Sequence, residues 1–428
     1  MLGMSAQASD PANPAAGILP EPRVRVRPAQ VPGPRGLRRL RAAGARQFWE
    51  WSEYRDSACA SEARALRVSG SERHSGAPLS SVYFGSGNHL AYLLGVVYGD
   101  YRVEEERQAL RAWQVRRWLR ELGQQADLVL ADLPWPYDHL LAGRGFLELP
   151  AWIDQTLPLP EHWQDVLSQL RSSARGEDLR KIRKQGLSCR LVRDEAATHR
   201  FYREMYVPHV TARFGEAAFV EPEWKVQYCA AQGFLREILR AGEVVAGQVL
   251  YGEGDALQFL WAGTVGGVHG EHSRGAFPAL FYFGILHAFE SGYRAADYCG
   301  SRPLLADGIF QLKRRWGGHV HDGWSRDTLF LSPTNLGPGV QGFLAGNPVI
   351  TRGRDGLVGK VFLGANAAGP EDVAKAEQFY ATGGLAAIRV CSLLPATAAA
   401  LDAARARRGI ELVDLRGERE PVVAYGQA

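Results

Sequence analysis

A layered α/β chain is the fold class this sequence predicts, and three observations carry the prediction. Between about residues 80 and 150, apolar runs of strand length alternate with helical spacing. Residues 233–242, 243–254 and 255–265 form three β-rich runs joined by polar glycine turns, the signature of an antiparallel meander. Beyond about residue 333 the order strand, helix, strand, helix, strand predicts a small unit with parallel crossovers.

Bulk composition limits the choice of function. The 428 residues suffice for two or three domains. With 46% hydrophobic and 22% charged residues, the balance is that of an ordinary globular chain. A formal charge of +4 is too small for a general nucleic-acid footprint. Cys59, Cys189, Cys229, Cys299 and Cys391 are scattered without a C-x-x-C pair. That spacing speaks against a disulfide framework or a structural zinc site and fits a reducing compartment. The run "LAYLLGVVYG" (90–99) is about half of a membrane span, and the first forty residues hold no apolar signal core, so a cytoplasmic protein is expected.

Taken in order, residues 1–44 are rich in Pro, Ala, Gly and Arg and predict a disordered tail, with order beginning near Phe48. "SVYFGSGNHLAYLLGVVYG" (81–99) reads as two short strands around a Gly-Ser-Gly-Asn turn. In 103–125, Leu110, Trp113, Val115, Leu119 and Leu122 recur at roughly helical spacing and predict a long helix. Residues 126–135 predict a buried strand, and 139–149 a short helix, a glycine turn and a strand. Residues 159–194 predict a helix, a break near "SSARG", a basic helix and a strand. An amphipathic helix follows at 195–215, and after the meander come a glycine-rich loop, a long apolar helix (276–292) and a strand (294–300). "NLGPGVQGFLAGNP" (335–348) reads as a linker.

Three phrases then point to a family: "SSARGEDLRKIRKQGLSCRLV" (172–192), "AGEVVAGQVLYGEGDALQFLWAG" (241–263) and "DYCGSRPLLADGIFQLKRRWGG" (297–318). Meander, glycine-rich loop, helix, strand and basic helix in that order resemble the GNAT superfamily of acyltransferases. Within it they resemble the FemAB-like branch, which includes the CelD-type acetyltransferases of polysaccharide pathways. The resemblance covers about residues 80–320. It implies tandem GNAT-like halves with mixed sheets flanked by helices: a degenerate first half at 45–158, an acyltransferase half at 159–332, and an appendage at 333–428 to which it does not extend.

Acyl transfer from a thioester needs an acceptor stripped of its proton, a donor at the carbonyl oxygen and help for the leaving thiolate. The donor's phosphates need backbone N–H groups at a helix start and nearby positive charge. The resemblance places the pantetheine arm along 257–263, with Trp261, Ala262 and Gly263 at its end. The family's Gln/Arg-x-x-Gly-x-Gly/Ala pattern is matched by "HSRGAF", with His272 at the basic position, Gly275 at the first glycine, and Arg274 and Ala276 beside it. Phe277 stands where a small residue is expected, so this segment is either a phosphate site or an ordinary glycine-rich exit.

Asp297 is the candidate base or acceptor-orienting group, or else the cap of the following turn; Glu290 and His287 are weaker candidates. Tyr298 either reaches the thiolate or packs in the core. Cys299 has no histidine near it in sequence and reads as an inert thiol rather than a nucleophile. The resemblance implies that Lys313 contacts an anionic group of the substrate, the alternative being a solvated helix face. Leu312 and Trp316 are expected to pack inward, Lys313 and Arg314 to face the cleft or solvent, and Ser301 with Arg314 to touch substrate. The basic run Arg175, Arg180, Lys181, Arg183, Lys184 is a solvated face or a phosphate contact, and His319 with His321 predicts no metal site.

The expected activity is transfer of an acyl group, acetyl by preference, from acyl-CoA to an amine or hydroxyl of a sugar or envelope precursor. The expected partner is a small acceptor, phosphate-bearing in one version, with no nucleic acid and no membrane span. One alternative is a Fem-type transferase dependent on aminoacyl-tRNA, although no long helical hairpin is read between 195 and 300. Another is a non-catalytic GNAT scaffold serving as a binding module.

Overall fold

A computed structural model describes residues 62–122, 126–215, 218–267, 275–323, 325–364, 367–392 and 394–414. The expected tail at 1–44 lies outside the described residues. The described residues begin with β1 (Glu62–Glu72), β2 (Pro78–Gly85), α1 (Leu90–Val97), β3 (Tyr98–Arg111), α2 (Val115–Leu122), β4 (Leu128–Leu133), β5 (Leu147–Pro150) and β6 (Ile153–Pro158). Next come α3 (Trp163–Gln169), α4 (Leu179–Lys184), β7 (Leu187–Val192), α5 (Glu195–Arg200), α6 (Val207–Phe214) and α7 (Glu223–Gln232). The meander is β8 (Phe234–Arg240), β9 (Glu243–Glu253) and β10 (Ala256–Thr264), followed by α8 (Ala276–Glu290), β11 (Ala295–Ser301), α9 (Gly308–Arg315), β12 (His319–Asp322) and β13 (Thr328–Pro333). The last stretch holds α10 (Pro338–Gly346), β14 (Val349–Gly353), β15 (Gly356–Phe362), α11 (Pro370–Tyr380), β16 (Leu385–Ser392), α12 (Ala398–Arg405) and β17 (Ile410–Asp414).

These strands make three sheets, ordered β3-β1-β2-β4-β13-β5, β12-β6-β11-β10-β9-β8-β7 and β14-β15-β16-β17. The first two sheets exchange a strand. β6, which follows the strands of the first sheet in sequence, lies antiparallel between β11 and β12 of the second. β13, which follows those of the second, lies antiparallel between β4 and β5 of the first. Each sheet therefore needs the other half of the chain to satisfy the backbone groups of two strands.

In the second sheet the meander, helix, strand and basic helix follow one another along the chain as expected. β7 to β10 run antiparallel, and β11 lies parallel to β10 after the crossover helix α8. α8 is apolar nearly all round and is buried along its length. Ala279, Leu280, Phe283 and Ile285 pack with Ile238, Leu250, Leu257 and Phe259 of the sheet. Three elements differ from expectation. Residues 98–111 form a strand at the sheet edge instead of a helix, and helix begins only at Val115. The second strand expected in 81–99 is α1. The expected linker holds α10, which buries Val340, Phe343 and Leu344 in the first core.

Candidate functional site

β10 and β11 are paired over three positions only: Ala256 with Ala295, Leu257 with Ala296 and Gln258 with Asp297. Past that level both strands bulge and part. On β10, Phe259 faces Leu250 while Ala262 faces Gln248, so Leu260 and Trp261 together oppose one residue of β9. On β11, Asp297 faces Thr156 and Gly300 faces Asp154, so Tyr298 and Cys299 together oppose Gln155. Cys299 takes a φ of 60°, a conformation that costs a non-glycine residue free energy unless its surroundings enforce it.

Lys313 supplies that enforcement. Its Nζ donates to the carbonyl oxygens of Cys299 at 3.0 Å and Gly300 at 2.5 Å. Lys313 is 8% exposed, so it faces neither solvent nor an open cleft, contrary to expectation. Burial lowers its pKa, opposed by the charges of Asp154, Asp297 and Asp307 nearby. Asp297 Oδ1 accepts from the Cys299 N–H at 2.8 Å, the turn-capping role weighed for it. No hydrogen bond reaches its Oδ2 from the described residues. Burial pushes the Cys299 thiol well up, with Asp297 adding to it, so a thiolate is disfavoured.

Two expected contacts prove to be core groups. Tyr298 is buried in an aromatic cluster with Phe259, Phe281 and Trp316, and its hydroxyl donates to the Trp316 carbonyl at 2.8 Å. Arg314 does not face the cleft. Its guanidinium donates to Ala381 O at 3.0 Å and Gln378 O at 2.7 Å, carbonyls that end α11 and lack helical partners. Trp316 packs inward as expected, at 0% exposure. Ser301 is buried and donates to Gln155 Oε1 at 2.9 Å. His321 shares a 2.7 Å hydrogen bond with Thr156 Oγ1.

Of the expected donor-binding residues, His272 and Arg274 lie outside the described residues. Gly275 precedes α8 with a φ of 81°, and Ala276 is buried. A Cβ on Gly275 would lie 3.6 Å from Lys181 Cβ, so the exposed basic face of α4 runs beside the α8 N-terminus. Trp261 and Ala262 stand at the β10 bulge, and a Cβ on Gly263 would lie 2.4 Å from main-chain atoms of Met205. His287 is held neutral, burial lowering its pKa to about 4. Sequence reasoning passed over Arg302, His89, Tyr92 and Asp132. These meet where the two halves join, and their sequence separations of up to 213 residues leave no local pattern.

No family model and no curated protein matches this chain. Among solved structures, FemX is 11% identical over 59% of this chain and 81% of its own, with a TM-score of 0.34. The C-terminal domain of a putative lysylphosphatidylglycerol synthetase from Agrobacterium fabrum is 12% identical over 63% of this chain and 81% of its own, TM-score 0.30. A tandem GNAT protein from the clavulanic acid pathway is 14% identical over 55% and 76%, TM-score 0.26. In the second sheet the helix-linked strand β11 lies parallel to β10 and parts from it at the edge of an antiparallel run of four strands, β7 to β10.

Proposed function

We propose that the chain is an acyltransferase that draws its donor's thioester arm into the slot between β10 and β11. The observation that carries this is the matched pair of bulges at which the two strands part. The unpaired main chain at Leu260 and Trp261 offers N–H and C=O groups to a pantetheine arm, as an added strand would. The donor phosphates then fall to the α8 N-terminus, with Gly275, Ala276 and Lys181 beside it. The donor is acyl-CoA in this reading, and its acyl group passes to an amine or hydroxyl of a sugar or envelope precursor.

The free oxygen of Asp297 orients the acceptor or takes its proton. Lys313 acts through position: it holds Cys299 and Gly300 in the bulged form that keeps the slot open. Tyr298, Ser301 and Arg314 have no direct part in this scheme, because their polar groups are occupied in the core.

Titration of the purified chain with acetyl-CoA, with Asp297→Asn and Gly275→Val alongside, tests the reading. Saturable binding that Gly275→Val weakens and Asp297→Asn spares, with turnover lost in Asp297→Asn, is the expected pattern. An Asp297→Asn variant with full turnover at neutral pH would move the base elsewhere. Absence of any acyl-CoA binding would favour the non-catalytic scaffold, and activity abolished by ribonuclease would favour the aminoacyl-tRNA donor.

A further inference from the structure

Where the first half meets the end of β11, a group of donors gathers with no carboxylate paired to it among the described residues. The Arg302 guanidinium carbon lies over two rings, 3.9 Å from the Trp152 centroid and 4.4 Å from that of Tyr92. Its Nη1 donates to His89 Nδ1 at 2.7 Å. That bond fixes the imidazole as the neutral tautomer with its proton on Nε2. Burial and the neighbouring guanidinium agree with it, lowering the His89 pKa to about 3. Tyr92 Oη is buried with no hydrogen-bond partner among the described residues.

Arg302 forms no ion pair among the described residues, although carboxylates lie near. Asp307 caps α9, its Oδ1 accepting from the Ile309 and Phe310 N–H groups at 2.8 and 3.0 Å. Asp132 accepts from the Ser86 and His89 N–H groups at 2.6 and 3.1 Å. Both carboxylates are thus committed elsewhere, and neither closes on the guanidinium. A partly desolvated guanidinium fork, a phenol and an imidazole N–H are all donors, the complement of a carboxylate or phosphate.

We propose that the Arg302 cluster binds an anionic group, carboxylate or phosphate, on the molecule that receives the acyl group. The identity of that molecule as an acceptor rests on the proposed function; the anion site itself does not. The cluster adjoins the slot, because the Trp152 ring covers Gly300, 3.3 Å from where its Cβ would be. The acceptor class is therefore a small molecule that carries a carboxylate or phosphate besides its reacting amine or hydroxyl.

Calorimetric titration of the full chain with inorganic phosphate and with succinate, at constant ionic strength in chloride and without acyl donor, tests this. Saturable binding of either is expected, weakened at least about tenfold by Arg302→Gln, less by Arg302→Lys, and about threefold or more by Tyr92→Phe. Tyr92→Phe removes only an unpartnered hydroxyl and so keeps the fold should Arg302→Gln lose it. Preference for one anion identifies the source, and either preference supports the site. Wild-type binding no stronger than that of chloride, or binding untouched in Tyr92→Phe and Arg302→Lys, overturns it. Anion binding without any acyl-CoA binding would sink the transferase reading and leave this one standing; the reverse result would do the opposite.

Discussion

Replacing Asp132 by Asn should change how stability depends on pH, by an amount the structure sets. Asp132 lies one residue before the end of β4 at 2% exposure, among the N–H groups of Ser86 and His89 and the Tyr83 hydroxyl. Burial is the largest influence on it and raises its pKa from 3.8 to about 6, against the opposing hydrogen bonds. In the unfolded chain the carboxyl ionises near 3.8, so between pH 4 and 6 the folded state holds the extra proton. Stability from this group is therefore greatest at low pH and is lost as pH rises through about 6. A gap of about two units at about 1.4 kcal/mol each gives about 3 kcal/mol. The amide also disturbs the local hydrogen bonds, but that cost is the same at every pH. His89 contributes oppositely, gaining stability as pH rises from about 3 towards 6.5, and does so in both proteins. Urea unfolding of both at pH 4 and pH 7 isolates the effect. The variant should improve on the wild type by about 2–2.5 kcal/mol between the two pH values, most of the full gap. An equal difference at both would show that Asp132 is ionised in the fold as freely as in water.

Lys313→Met should cost about 2–4 kcal/mol, because two carbonyl oxygens lose a charged donor. It should also speed alkylation of Cys299 in the native protein; a cost under about 0.5 kcal/mol would place the ammonium in solvent. Gly263→Ala should destabilise by about 1–3 kcal/mol, since its Cβ would meet Met205 and Tyr206 main chain at 2.4 and 2.6 Å. Gly95→Ala, in α1 with open space around its Cβ, should stabilise by about 0.5–1 kcal/mol, and thermal melts of the pair check both. Residues 62–158 and 159–333 made separately should each lack a cooperative transition and regain one when mixed, because each sheet borrows its inner strand from the other. A cooperative melt from either piece alone would contradict this.

Periodicity found what is locally determined and missed what pairing decides. The meander, α8 and the parallel crossovers of the last sheet were legible because their apolar patterns repeat at the period of the element formed. β3 was not. Its charged residues have good helix propensity, yet it is held by antiparallel pairing with β1, and the charges keep the sheet edge soluble. Ion pairs such as Arg107–Glu105 at 2.7 Å join residues two apart, on one face of a strand. α1 was read as a strand because a short apolar run has no period of its own. At the candidate site, Asp297 and Lys313 were marked through their place in a strand–loop–helix phrase. Their roles depend on where Nζ points, and pattern does not encode that. Arg302 lies in the same phrase and went unmarked, because what sets it apart is the company of His89, Tyr92 and Trp152.

The exchanged strand explains why those residues meet. β6 runs antiparallel to β11, and the last matched pair is Ile153 with Ser301. The next position outward on one strand is Trp152 and on the other Arg302, so the 3.9 Å stacking of ring on guanidinium follows from register. A slip of one residue would turn Trp152 to the opposite face and leave Arg302 half-buried beside Tyr92 alone. The same strand carries Gln155, which receives the Ser301 hydroxyl, and Asp154, which stands opposite Gly300 at the bulge. β6 thus fixes one wall of the slot and one wall of the anion cluster, while α1 brings His89 and Tyr92 from the other half. A movement of one half against the other must therefore break the His89–Arg302 contact. Any acceptor that bridges both halves would bind to a geometry already assembled, at little cost in ordering.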